Sequence, residues 1–294
     1  MVFDLLEISR VVLALGGTGV AAYFDITNNR NIPNEVSYSF VALALLINFA
    51  NFDLNSFIFT AGVALALFII GYVFYRMGQI GGADILVLCA IALAIPLQPS
   101  LSLFVSGKAP FLMPFQIPFV FSVIIAASLS FSVAMLFKNV PRALLDFSSG
   151  KVKIGPLRYL SALFIFAAYG CFVFLASQLP LFPPLYIILI TFVMASSLFF
   201  MLFKDYIQDS MIEEIPVSRM QEEDVLAIEK MDKKIIEKYK LRKLLTLSEI
   251  ARLKKLPIKK FPVYTKMPMF LPYVLIGLAV SLIFGDLLLL FSGL

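Results

Sequence analysis

The sequence contains no histidine, and that absence removes a large part of enzyme chemistry. Ser-His-Asp and Cys-His nucleophilic catalysis, His-ligated zinc and imidazole proton relays all require an imidazole ring. Cysteine is nearly as scarce. Its two residues, Cys89 and Cys171, fall in apolar stretches and form no CxxC pair, so they read as packing residues rather than metal ligands or a disulfide. No metal or organic cofactor is suggested. Charge is sparse as well: Asp, Glu, Lys and Arg make up 15% of the 294 residues against 61% hydrophobic, with mean hydropathy +0.94. That is more apolar surface than a soluble domain can bury. There is no internal repeat and no low-complexity tract.

What is present is a series of long apolar runs. A hydrocarbon core roughly 30 Å thick is crossed by about 20 apolar helical residues, and about eight candidate spans can be counted on that basis. They run over 5–24, 36–50, 57–75, 83–101, 118–137, 157–179, 185–203 and 269–290. The predicted fold class is therefore all-α, a polytopic membrane helix bundle. The first run carries Glu7 and Arg10, and no small-x-small cleavage site precedes Asp25, so it is expected to be a span rather than a signal peptide. Three regions follow: a transmembrane helical domain at 1–203, a polar cytoplasmic insert at 204–267 and a final transmembrane helix at 268–294.

Cations set the expected orientation, because short cytoplasmic loops are enriched in Lys and Arg. With both termini outside the cell membrane, the cytoplasmic loops hold Arg30, Arg76, Lys138, Arg142, Lys151, Lys153 and Arg158, and the insert follows. The outer side keeps Lys108 and Arg10. The net charge of +5 is thus mainly a topology signal. Anionic lipid headgroups are natural partners; nucleic acid is not.

Within the insert, Ile228, Met231, Ile235 and Tyr239 recur at three- and four-residue steps and predict an amphipathic helix. Thr246-Leu-Ser-Glu249 has the pattern of a capping box, with Ile250, Leu253 and Leu256 continuing an apolar face. These helices read as scaffold.

Without histidine, carboxylates carry whatever chemistry there is. Asp4, Glu7, Asp53 and Asp286 fall at expected outer ends, and most other acidic residues belong to the insert. Asp25 and Asp84 stand apart, because the topology puts both at the cytoplasmic ends of their helices. Ionisable groups at a membrane-embedded helix end are costly unless paired, hydrated or functional. Two carboxyls at one depth can share a proton and a water, which is the minimum equipment of aspartic proteolysis. Gly78, Gly81 and Gly82 before Asp84 allow an irregular backbone and the close approach of an extended chain, or simply tight helix packing. The plainer reading of Asp84 is a helix cap, and of Asp25 a solvated boundary residue.

The flanking residues carry a resemblance. Asp25-Ile-Thr-Asn-Asn-Arg-Asn-Ile-Pro-Asn34 resembles the first catalytic motif of the type IV prepilin peptidases, and Gly81-Gly82-Ala83-Asp84 resembles their GxGD motif, with Ala83 where the second glycine is expected. The Gly-Gly-Ala-Asp form is similar to that of archaeal preflagellin peptidases. Lys266-Met-Pro-Met-Phe-Leu-Pro-Tyr-Val-Leu-Ile-Gly277 also looks like the start of that family's last span. The resemblance implies a membrane aspartyl protease with Asp25 and Asp84 as its catalytic pair, and with Gly81, Gly82 and Ala83 as backbone against which substrate lies. It implies partners with class III signal peptides: precursors of type IV pilin-like proteins or archaellins, cut behind a short, positively charged leader. Glu35 reads either as an attractor of that leader's cations or as a surface carboxylate balancing Arg30.

Two other readings stay open on the residues alone. A proton-coupled transporter would use Asp25 and Asp84 as a relay, though the inverted repeat expected of one is not visible. An inactive assembly subunit would keep both aspartates without using them.

Overall fold

The computed structural model describes residues 5–28, 30–50, 52–100, 117–152, 154–178, 184–258 and 260–285. Asp4, Asn29, Lys108, Lys153, Asp286 and the expected span ends at 101, 179 and 290 lie outside the described residues. Among the described residues the apolar helices are α1 (Leu5–Thr27), α2 (Asn34–Leu46), α3 (Leu54–Arg76), α4 (Gly82–Ala94), α5 (Phe119–Ser148), α6 (Pro156–Ser177), α7 (Pro184–Leu202) and α11 (Leu271–Phe284). Between the last two, α8 (Lys204–Met211), β1 (Ile212–Pro216), α9 (Lys233–Tyr239), α10 (Leu247–Leu253) and β2 (Lys260–Tyr264) build the insert.

The protein is a helical membrane protein, but the count of about eight full spans needs correction. Among the described residues, α1, α3, α5 and α6 are long and apolar enough to cross a bilayer, and α7 with α8 makes a fifth candidate bent by 68°. The helices at Asn34–Phe49, Gly82–Ala94 and Leu271–Phe284 are apolar but shorter. Hydropathy counts apolar residues whether or not they are helical. Behind Ala94 the apolar run continues, yet Ile95 sits at φ −125° and ψ 86° because Pro96 follows, and a proline disfavours helical backbone in the residue before it.

The first core gathers around α4, whose Ile85, Val87, Cys89 and the run Ala90 to Ala94 are buried. Helices α1, α2 and α3 pack on it, and α11 seats against α5 and α1. At the α5–α11 seam Gly277 is essential in size: a Cβ there would lie 2.6 Å from the Ala127 nitrogen and 2.7 Å from the Val123 oxygen. The α6–α7 pair is more peripheral, and Leu160, Leu163, Phe164, Phe166 and Phe174 on α6 are exposed, as a lipid-facing helix requires. Arg10 is accommodated inside α1 by donating to the Ala94 carbonyl at 3.2 Å and to Asn48 Oδ1 at 3.3 Å. A guanidinium at the end of α4 satisfies a carbonyl that lacks an intrahelical partner.

The insert departs from an all-α reading. β1 and β2 pair antiparallel, with Ile212 opposite Tyr264 and Ile215 opposite Phe261, over a core of Ile215, Val217, Leu226, Leu245, Leu253, Phe261 and Val263. The expected helix through Ile228 and Tyr239 is instead a single 3-10 turn at Ile228–Lys230 and then α9. Asp232 interrupts it by accepting the Lys234 amide at 3.0 Å and starting a new helix. Even so, Ile228, Met231, Ile235 and Tyr239 all pack on the insert core. The capping box is half formed. Thr246 Oγ1 accepts from the Glu249 amide at 3.4 Å, whereas the Glu249 carboxylate turns to Arg252 at 2.5 Å and Arg242 at 3.7 Å.

Candidate active site

Asp25 lies in the last turn of α1 and is buried, with 4% of its surface exposed. The helix ends just after it, where Arg30 adopts a left-handed conformation at φ 68° and sends its amide back to the Asp25 carbonyl at 3.1 Å, closing the helix in the manner of a C-cap. The side chain is met from the other end of the sequence: Asp25 Oδ2 accepts the Leu271 amide at 3.2 Å. Leu271 opens α11, and first-turn amides have no intrahelical acceptor and point toward negative charge.

Asp84 is the third residue of α4 and is partly exposed. Its Oδ2 accepts the Gly81 amide at 3.2 Å, so the capping role anticipated as the plainer reading is real. The bond accounts for one oxygen. Gly81 is extended, at φ −72° and ψ 150°, and the turn joining α3 to α4 reaches φ 67° at Gly78, a region that glycine enters without a Cβ penalty. Ala83, within the first turn of α4, is partly buried against the membrane core.

The fold brings these groups to one end of the bundle. Asp84 is within electrostatic reach of Asp25 and also of Glu223. Arg30 feels the charges of Asp25 and Asp224 and donates to the Thr265 carbonyl. Burial pulls the Arg30 guanidinium down from its ordinary value, opposed by the charges of Asp25 and Asp224. Glu35 is exposed in the first turn of α2, while Arg30 takes its partners elsewhere. Two cavities touched by Glu7, Arg10 and Pro96 lie at the opposite end of α4 and include neither aspartate motif.

Four participants are invisible to local pattern: Tyr75, Glu223, Asp224 and the Leu271 amide. Tyr75 Oη donates to Glu223 Oε1 at 3.1 Å, a contact across 148 positions. Only the likeness of the Lys266 to Gly277 stretch to a known last span pointed toward α11. Nothing in the insert's sequence marks Glu223 beyond its place in Gln221-Glu222-Glu223-Asp224, an acidic run in a basic segment.

Residues 12–137, which include both aspartate motifs, match the model of the type IV leader peptidase family. Prepilin peptidase EppA of Methanothermobacter thermautotrophicus is 31% identical over 134 residues, which are 44% of this chain and 34% of that protein. The chain therefore aligns with only a third of the relative's length. No solved structure gives a significant match. From α1 through the GGAD turn and into α5, this chain is similar to the type IV leader peptidase family.

Proposed function

We propose that the protein is a membrane-embedded aspartic endopeptidase that removes the short leader from type IV pilin-like or archaellin precursors, with Asp25 and Asp84 as its catalytic pair. The observation that supports this reading is that both motif aspartates lie in the stretch that matches the type IV leader peptidase family, residues 12–137, on helices α1 and α4, which pack together. In the proposed reaction one carboxyl is ionised and takes a proton from a water, whose oxygen attacks the scissile carbonyl. The other is protonated and donates to that carbonyl oxygen; collapse of the tetrahedral intermediate then breaks the C–N bond, and a proton passes to the leaving nitrogen. Mutual repulsion keeps both from ionising together, so the titration belongs to the pair.

The positive-inside pattern puts this end in the cytoplasm and both termini outside. A precursor would present its cationic leader there and lodge its apolar helix among the enzyme's own. The extended backbone at Gly81 and the neighbouring Gly82 and Ala83 offer a surface for the unwound residues around the cut. Glu35, exposed in the first turn of α2 just after the first motif, is a candidate to attract the leader's cations. Incubating the detergent-solubilised chain with a pilin-like or archaellin precursor tests the reading. Loss of the leader, seen as a size shift on a gel with wild type and absent with Asp25→Ala or Asp84→Ala, is expected. Cleavage that survives both substitutions contradicts it.

A further inference from the structure

The insert does not merely hang below the membrane helices. Its Gln221 to Val225 turn docks on the α3–α4 connection at two places. At one, Val225 methyl carbons lie 3.2 and 3.4 Å from where a Cβ on Gly78 would be. At the other, Glu223 Oε1 is 3.0 Å from the corresponding position on Gly82, the first residue of α4 and two before Asp84. The same Oε1 accepts the Tyr75 hydroxyl at 3.1 Å, which ties it to the last turn of α3.

The turn that presents Glu223 is built for that presentation. Glu223 has φ 70°, in a region that residues other than glycine seldom occupy. Its amide donates to the Leu245 carbonyl at 2.9 Å, and the Leu245 amide returns to the Asp224 carbonyl at 2.9 Å. Asp224 Oδ2 accepts the Gln221 amide at 2.7 Å. The Val225 carbonyl accepts from Tyr264 at 2.9 Å, which anchors the turn to β2. A side chain held so firmly to one unit, with its tip on another, transmits position.

We propose that Glu223 is a positioning residue for the reaction: through Tyr75 and by resting on Gly82 it holds the Gly81–Asp84 turn where Asp84 meets Asp25. This rests on the peptidase reading above. It makes the insert part of the active site rather than scaffold.

The test uses the full chain in detergent and a pilin-like precursor that wild type cleaves. Glu223→Ala and Tyr75→Phe are each expected to lower kcat about tenfold with KM nearly unchanged, the loss of one hydrogen bond to a charged acceptor. The double variant should be no worse than either single one, because the two groups act as one contact. Glu223→Gln keeps an oxygen that accepts from Tyr75 and should recover most of the rate. In parallel, amide hydrogen exchange across 81–85 should quicken in Glu223→Ala and Tyr75→Phe but not in Glu223→Gln. Should Glu223→Ala fail to fold, Tyr75→Phe, which deletes a single oxygen, carries the comparison.

Unchanged kcat or unchanged exchange in Tyr75→Phe overturns the proposal. So does a rise in KM at constant kcat, which would make Glu223 a recognition residue for the cationic leader. Glu223→Gln as slow as Glu223→Ala would likewise overturn it, by making charge rather than position the cause. If wild type cleaves no precursor, the peptidase reading fails by itself, and the exchange measurement alone decides whether Glu223 holds the turn.

Discussion

Asp224 illustrates how a single side chain at this site ties protonation to folding. Burial raises its carboxyl above the ordinary 3.8, against the Gln221 amide and the Arg30 guanidinium, which lower it. A folded-state value above the unfolded one means that the folded protein holds this proton more tightly. The group's contribution therefore favours folding in acid and is lost as pH rises through the raised value. Asp224→Asn, which still offers an oxygen to Gln221, is expected to leave the insert as stable or more stable at neutral pH and to flatten its stability on mild acidification. Chemical denaturation followed at several pH values checks this; a variant that is destabilised at pH 7 contradicts it. At Thr246, loss of the hydroxyl in Thr246→Ala should cost about 1 kcal/mol through the freed Glu249 amide, read as faster amide exchange along α10 (Leu247–Leu253). Residue-level reading of the sequence reached the cap but not the Glu249 carboxylate, which Arg252, one turn on in α10, and Arg242, from outside that helix, draw away from the cap.

For the elements, composition located every apolar helix but not its length. Hydropathy is blind to the hydrogen bonds that end a helix, so α4 stops at Ala94, ahead of Pro96, in a segment that reads as a full span. The aspartate motifs were legible because each is contiguous: Asp25 with its Ile-Pro-Asn, and Gly81 through Asp84. Contacts that join distant elements had no comparable signal, and Leu271 on Asp25 is the plainest case. The α5–α11 seam is the element-level contact on which that bond depends, since α11 carries Leu271. Gly277→Ala forces a methyl against the Ala127 and Val123 backbone, which cannot swing aside as a side chain would. About 1–3 kcal/mol of destabilisation is expected for such overpacking, measured as a lowered melting temperature in detergent. No loss of stability would mean that α5 and α11 sit farther apart than described.

At the scale of the whole molecule, the membrane helices carry the two motif aspartates and the insert docks on the segments beside them. Arg30 reaches Thr265 beyond β2, and Tyr75 reaches Glu223 ahead of α9, so both motif loops are held by the insert. The proposed orientation puts that end in the cytoplasm, so a cysteine introduced at exposed Lys255, in a chain lacking the exposed Cys171, should react with a membrane-impermeant maleimide only when the cytoplasmic face is accessible. A cysteine at exposed Phe52 should react from the other side. Reversed labelling would invert the topology and put the aspartates on the wrong face for a cytoplasmic leader.

The central claim is that Asp25 and Asp84 form one catalytic pair, and the rate of precursor cleavage against pH by wild type, Asp25→Asn and Asp84→Asn tests it most directly. Wild type should give a bell-shaped profile, because one carboxyl must be ionised and its partner protonated. Each Asn variant, with shape kept and the titrating group removed, should lose on the order of a thousandfold or more at every pH. An Asn variant that cleaves at a rate near wild type would contradict the account.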